Sequence, residues 1–427
     1  MRMRRHVLVV VFLVSGLVAA AAPAVADTVG GEKKLAGGKS HEVQPAMVWN
    51  QKAAEYFMVY ATDRFKPGYA VNQIYGKRIG ADGNQVGGGR IGGVAWKNSI
   101  HPAVAWNEID NQYLVVWQDN RNWDTRRWDV YGRIMDAAGK PLTKQFRIGR
   151  AKGNADEINP AVAWSYTANQ YLVVWEDSRN SLKGRGWDIY GQYVAPNGDR
   201  IGTNFRISGK NATKHEQKPA VSWNPAATRH VVVWQDTRHA WYSGEATIYG
   251  RLVTGMAGTV GGEFRIGDAR KEVNPDVACR PTGGQCLVVW EDRRNFATRQ
   301  IDIYGRRVNG DGKALGSATR LCGPGAVTHD VEPAVAWSQA SSRYLVVWQD
   351  YRESGAGGGV TIYGQKVTAL GNRHGKDFRI PKMRDTVQSQ PAVAWNPWAD
   401  RYLVAWTDQR SYWSGPLLDI WGRRVAG

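Results

Sequence analysis

The residues best suited to chemistry in this chain come in multiple copies. An Asp-x-Arg pair recurs as Asp119/Arg121, Asp177/Arg179, Asp236/Arg238, Asp292/Arg294, Asp350/Arg352 and Asp408/Arg410. A further copy is read as keeping Asp63, with Phe65 where Arg is expected. Alone, a carboxylate beside a guanidinium would be a catalytic acid or an anion clamp. Catalysis needs one constellation, whereas a structural joint is needed in every repeat. The repetition therefore predicts a charge-assisted contact that holds a loop or ties neighbouring units.

A second set combines His with carboxylates. His41, His101, His215 and His329 lie just upstream of a recurring proline, three of them four residues before it. Glu42, Glu157, Glu216, Glu272 and Asp330 stand three residues before that proline. Such a set can serve as a general base or hold a metal. The aligned histidines belong to the first, fourth and sixth repeats, which are not neighbours, so neither a metal site nor a cofactor is expected. No HExxH, CxxC, GxSxG or P-loop pattern occurs. If the chain is catalytic, His101, His215 and His329 are the first residues to test.

The third set is aromatic and cationic: Trp123, Arg126 and Arg127, then Trp241 and Tyr242, then Trp413. Exposed Trp and Tyr stack on sugar rings, and Arg beside them binds carboxylate or sulfate. These six are the expected ligand contacts. Trp128 and Trp187 share a slot with Ile301 and Leu418, so they are expected to be buried.

All three sets are carried by one repeat of just under 60 residues. Its landmark proline recurs at Pro45, Pro102, Pro160, Pro219, Pro275, Pro333 and Pro391. A period of this size marks a repeat architecture whose units cannot bury their apolar faces alone. One unit reads as four short strands: a (102–106), b (113–117), c (129–134) and d (145–148), separated by turn residues. Strand b, Tyr-Leu-Val-Val-Trp, is apolar throughout, so both its faces should be buried. The Trp at the ends of strands a and b should be core. The expected fold is all-β: a seven-bladed β-propeller of four-stranded antiparallel blades, as one domain over 27–427. Strand d carries a basic-aliphatic pair after the first six units, and the last unit stops at strand c. The missing copy, Lys34-Leu35, lies at the other end. The N-terminal strand is thus expected to complete blade seven, which removes two open sheet edges.

In six repeats an aromatic pair faces across strands a and b, as Trp106 and Tyr113 do. In the fifth both members change, to Cys279 and Cys286. Opposed positions in such a hairpin are within disulfide reach, so a Cys279–Cys286 bridge is expected and Cys322 is left unpaired.

Residues 1–26 have the pattern of a cleaved signal peptide: Arg2, Arg4 and Arg5, an apolar run, and Ala24-Val25-Ala26. The chain is therefore expected to be secreted and extracellular, without a membrane span, and monomeric. Its formal net charge is +18, from 56 basic and 38 acidic residues. Without the leader's three arginines the balance is +15. That charge favours a polysaccharide or another anionic cell-surface polymer as partner. No run of five basic residues points to specific nucleic-acid binding.

The string Tyr-Leu-Val-Val-Trp-x-Asp-x-Arg, followed by Asp-Ile-Tyr-Gly-x-x-Val, resembles a repeat found in secreted bacterial proteins. The resemblance covers residues 32–425 and implies a β-propeller, with no catalytic residues to carry over. The sequence thus reads as an extracellular, lectin-like binding module for a carbohydrate or anionic polymer, working through variable loops on one rim. The alternatives are a lyase or glycosidase acting on acidic polysaccharide, and a protein-interaction scaffold. Fold alone does not separate them.

Overall fold

The computed structural model describes residues 27–427, apart from 39, 64–70, 152, 182–185, 210–213, 240–244, 255–257, 324–327, 355–358 and 411–416. The expected leader, residues 1–26, lies outside the described residues. The protein is all-β, and each repeat forms an antiparallel sheet of four strands. In the second repeat strand a is Ser99–Asn107, strand b Gln112–Asp119, strand c Asp129–Asp136 and strand d Phe146–Arg147. Strand a of each sheet packs against strand a of the next, and that of the first sheet also packs against that of the last. This is the arrangement of a β-propeller. The fifth and sixth sheets are additionally joined by two parallel residue pairs, Gln300 with Thr328 and Ile301 with His329.

Strand b is buried along its whole length in the second and third sheets, and nearly so in the others, because a neighbouring sheet covers each face. Its Trp residues, Trp117, Trp175, Trp234, Trp290, Trp348 and Trp406, are among the largest fully buried side chains. The strand a Trp residues differ from expectation. Trp49 is buried, but Trp106, Trp164, Trp223, Trp337 and Trp395 are only half-buried. Strand a borders the space between the sheets, and Trp337 and Trp395 help line a cavity at its end with Val277, Val335 and Val393. Trp128 and Trp187 are likewise half-buried.

The N-terminal strand, Thr28–Ala36, pairs antiparallel with the last strand, Asp419–Ala426, with Lys34 opposite Trp421. It takes the strand d place of the final sheet. Lys34 Nζ lies 2.8 Å from Asp419 Oδ2. Strand d cations make the same pair elsewhere: Arg147 with Asp129 at 2.6 Å and Arg320 with Asp302 at 2.7 Å. The aliphatic residue that follows packs on the glycine of the Tyr-Gly motif. A Cβ at Gly132 would stand 2.7 Å from Ile148 Cδ1, and one at Gly422 would stand 2.5 Å from Leu35 Cδ1. Glycine is needed there because strand d sits directly on it.

Two sequence expectations are corrected by register. The landmark proline does not open strand a. The strand begins three residues earlier, and the proline sits at a bulge, marked between Ile100 and Ala103 in the second sheet. Proline is tolerated inside a sheet at such a place because a bulge needs no ladder N–H. In the first repeat, Thr62 pairs with Glu42 as Asp119 pairs with Ser99. Thr62, not Asp63, therefore holds the acid's place. Asp63 accepts the His41 backbone N–H instead, at 2.6 Å.

Cys279 and Cys286 are directly paired across their hairpin and form a disulfide, and Cys322 is free and buried. No helix among the described residues is long and apolar enough to cross a membrane.

Candidate functional site

The Asp-x-Arg pairs are committed to structure. Asp119 is fully buried and accepts from Trp117 Nε1 at 3.0 Å, Ser99 Oγ at 2.8 Å and the Arg121 backbone N–H at 2.8 Å. The Arg121 side chain adds two more bonds, from Nε at 2.8 Å and from Nη2 at 2.7 Å. Burial works to raise the Asp119 pKa, but bonding to Arg121 and its charge outweigh it, so the carboxyl titrates below its ordinary range. The guanidinium also lies over the Tyr131 ring at 3.9 Å. Arg179 on Tyr190, Arg352 on Tyr363 and Arg410 on Trp421 repeat the contact. An acid saturated with donors is not poised to give or take a proton.

A different set of residues converges where the sheets meet. The residue before each landmark proline borders one polar cavity of about 480 Å³. These residues are Gln44, His101, Asn159, Lys218, Asn274, Glu332 and Gln390. Each has a left-handed backbone, with φ between 50° and 58°. For a residue with a Cβ that conformation costs about 1–2 kcal/mol. The bulge imposes it, and a side chain of the preceding sheet caps each strained N–H. Gln390 caps Gln44, Gln44 caps His101, Gln118 caps Asn159 and Glu176 caps Lys218. Gln235 caps Asn274, Glu291 caps Glu332 and Glu332 caps Gln390. All seven bonds measure between 2.8 and 3.1 Å. The first of them runs from the last sheet to the first.

Lys218 and Glu332 are the charged residues among those described that line this cavity. Burial, and then the Lys218 charge, push the His101 pKa down to about 4. His101 is therefore neutral near pH 7 and acts as a hydrogen-bonding group, with Nε2 3.3 Å from Gln44 Nε2. Burial raises the Glu332 pKa, against the opposing pull of the Gln390 N–H and Lys218. Glu176 and Glu291 stand behind the lining, bonded to Asn159 Nδ2 at 2.6 Å and Asn274 Nδ2 at 2.7 Å. Amides, an imidazole, an ammonium and a carboxyl make a surface that both donates to and accepts from a polyhydroxylated ligand. Hydrolysis of a glycosidic bond ordinarily needs two carboxyl groups, and Glu332 is the one carboxylate among the described residues lining the cavity.

The other sequence-derived site residues do not join it. The His215 backbone N–H donates to Thr237 Oγ1 at 2.8 Å, beside the loop after strand b of its own sheet. The His329 ring packs between Phe296 and Tyr351, at 6.3 and 5.9 Å. The three histidines thus form no shared constellation. Trp123 is exposed on a short helix, Trp123–Arg126, with Arg127 over its ring at 5.3 Å and paired with Asp156 at 3.3 Å. Arg126 borders a separate cavity. Trp241, Tyr242 and Trp413 lie outside the described residues. The sequence reasoning picked out His101 but missed the other six residues around the cavity. A signal for them existed: the position before the proline is polar in every repeat and variable in a motif whose neighbours hardly change.

Asp302, Cys322 and Asp330 bring two carboxylates and a thiol within 4.8 Å of one another, a possible metal-ligand set. Two of the three are tied to each other, while Asp330 Oδ1 is buried without a hydrogen-bond partner. Cys322 Sγ donates to Asp302 Oδ1 at 3.3 Å, and Arg320 holds the same oxygen at 2.7 Å. Burial raises the pKa of both Asp330 and Cys322, so both keep their protons and are poor ligands. The cluster also has a packing origin. A Cβ at Gly149 or Gly267, the places equivalent to Cys322, would collide with Glu157 or Glu272. In the sixth repeat the acid is the shorter Asp330 and Cys322 fits beside it, as the smaller Ser208 and Ala36 fit beside Glu216 and Glu42.

No protein-family model matches the chain, and no curated protein matches it. Among solved structures, an α-L-arabinanase of Penicillium chrysogenum, complexed with arabinobiose, aligns with a TM-score of 0.52 at 12% identity. The alignment covers 75% of this chain and 93% of the arabinanase. A Hadza microbial sialidase aligns with a TM-score of 0.47 at 11% identity, over 72% of this chain and 63% of its own. An acylaminoacyl peptidase of Pyrococcus horikoshii gives 0.49 at 10% identity, over 86% and 49%. At such identities a likeness speaks for the fold alone, and this chain shares the architecture of the arabinanase.

Proposed function

We propose that this chain is a secreted, closed seven-bladed propeller that recognises carbohydrate in the polar cavity where its sheets meet. Closure is supported by four contacts between the chain's ends: Gln44 N–H to Gln390 at 2.9 Å, Glu42 N–H to the Leu418 carbonyl at 2.8 Å, Lys34 to Asp419 at 2.8 Å and Glu32 to Arg410 at 2.7 Å. Secretion is supported by the leader pattern and the disulfide. The observation that carries the reading is the set of seven strained, polar residues of differing type around one cavity. Strain kept at seven equivalent positions gives a fixed frame, and different side chains on that frame give specificity.

A second reading, glycoside hydrolysis, has its own support. One solved structure of similar architecture is that of an α-L-arabinanase, and Glu332 has the raised pKa suited to a proton donor. The comparisons lean toward this reading, whereas the single carboxylate in the cavity lining leans toward binding alone.

The test uses the whole chain with a panel of neutral and acidic oligosaccharides, arabino-oligosaccharides included. Binding is measured by calorimetry and cleavage by new reducing ends. Binding without new ends, weakened about tenfold or more in Lys218→Met, supports recognition, since one lost charged hydrogen bond is worth about 1.5–3 kcal/mol. New ends that vanish in Glu332→Gln support hydrolysis. Binding that ignores both substitutions, or no binding to any sugar, refutes the assignment of the cavity.

A further inference from the structure

The interface between the second and third sheets holds a cavity of about 740 Å³ whose lining is unlike that of the polar cavity. Arg126 comes from the short helix, Phe146 and Arg147 from strand d of the second sheet, and Arg150 from the loop that follows. Asp199 comes from the turn between strands c and d of the third sheet, and Arg200 opens strand d. Arg147 is neutralised by Asp129 at 2.6 Å, with Glu157 at 3.7 Å. The side chains of Arg126, Arg150 and Arg200 have no ion pair or hydrogen bond among the described residues. Asp199 accepts from Asn197 Nδ2 at 2.8 Å. Burial, then the charges of Arg150 and Arg147, work against the Arg200 cation and lower its pKa.

The repeat supplies an internal control. Two residues before the strand d cation, the fourth, sixth and seventh sheets carry an acid that clasps the preceding sheet, whereas the first, second and fifth have Gly88, Gln145 and Ala318 there. Glu263 takes Arg238 at 2.7 Å and the Gly209 N–H. Asp377 takes Arg352 at 2.7 Å and the Gly323 N–H at 3.2 Å. Glu32 takes Arg410 at 2.7 Å and the Met383 N–H at 3.2 Å. In the third sheet this residue is Asn204, whose amide donates to the Ile148 carbonyl at 3.3 Å and to Gln192 at 2.7 Å. This interface lacks the clasping acid, as three others do, and here three guanidiniums without an ion pair gather around one cavity that a single carboxylate, Asp199, also lines.

We propose that the cavity binds an anionic group, the carboxylate or sulfate of an acidic polysaccharide, between Arg150 and Arg200 with Arg126 at its edge. Planar guanidiniums suit both oxyanions, and a bound anion would supply the negative charge that an acid provides at three other interfaces. The polysaccharide part of the proposal rests on the carbohydrate reading above. It deepens that reading by assigning the ligand a negative charge and a second point of attachment.

The test titrates the full chain with oligogalacturonate and dextran sulfate, with their uncharged counterparts (methyl-esterified oligogalacturonate and dextran), and with sodium sulfate. At least one acidic polymer should bind about tenfold or more tighter than its uncharged counterpart. Arg150→Gln and Arg200→Gln should each remove about tenfold of that affinity. Arg384→Gln, at an exposed site elsewhere, should leave it unchanged. Unaltered melting temperatures would show that the variants are folded. Equal affinity for charged and uncharged polymers, or arginine variants that bind like the parent, would overturn the proposal. Sulfate alone binding as tightly as the polymers would overturn its polysaccharide part. Uncharged-sugar binding that depends on Lys218 reports separately on the polar cavity, so a failure of either site is seen by itself.

Discussion

Replacing Leu35 by Ala tests whether the N-terminal strand carries load. Leu35 is fully buried and packs with Trp49, Tyr56, Leu403 and Ile420, which belong to the first and last sheets. Its Cδ1 lies against Gly422, as Ile207 lies against Gly191 in the third sheet. Truncating a buried leucine to alanine costs about 2–5 kcal/mol when the surroundings cannot collapse into the space. Spread over about 400 residues at about 2.1 cal/mol/K each, that loss lowers the melting temperature by about 2–6 °C if the chain unfolds as one unit. Scanning calorimetry of three variants reads it out. Leu35→Ala should fall with Ile207→Ala, which removes a fully buried strand d residue inside the chain. Leu370→Ala, at a side chain 63% exposed, should stay within about 0.5 kcal/mol of the parent. If Leu35→Ala melts with Leu370→Ala, the strand is not holding the last sheet, and the argument for a closed ring fails.

Two further outcomes follow from the buried titratable groups. A thiol reagent should find no cysteine in the native protein, one after denaturation without reductant, and three after reduction, because Cys322 is buried and Cys279 is bonded to Cys286; more than one thiol before reduction would contradict the bridge. Burial, with added repulsion from Asp236 and Asp188, pushes the Glu216 pKa up to about 9 from an ordinary 4.5. The folded state then holds a proton that the unfolded state releases across that window, so this residue's contribution to stability falls as pH rises from about 4.5 to about 9. Glu216→Gln removes the titration. Its melting temperature should gain on the parent's between pH 6 and pH 9.5, and a constant difference would refute the assignment.

Much of the fold could be read from local pattern, and the reasons are visible in particular residues. Strand b announces itself by five apolar residues in a row, and Asp-x-Arg by its proximity in sequence. The substitution of both Trp and Tyr by Cys279 and Cys286 reveals a cross-strand pair, since both partners of a contact changed together. The first repeat misled because an Asp one place away from its proper register looks like a copy of the motif, and only pairing with Glu42 shows that Thr62 holds the slot. The histidines misled for the opposite reason. Equal offset from a proline places His215 and His329 on equivalent loops of different sheets, far from a common centre, while His101 reaches the cavity from a different offset.

Local pattern is enough to define the unit: four strands, a buried strand b, an Asp-Arg joint, and a terminal Lys34-Leu35 matching the strand d pattern. Those features depend on neighbours a few residues apart, or on one unit resembling another. What the units do together depends on how the sheets assemble. Seven residues, each separated from the next by roughly a full repeat, face one cavity because the bulge before each proline turns them there and the preceding sheet caps their backbone. The uncompensated arginines between the second and third sheets exist for the same reason. Whether a charge is balanced depends on the sheet alongside, and no single repeat contains that information.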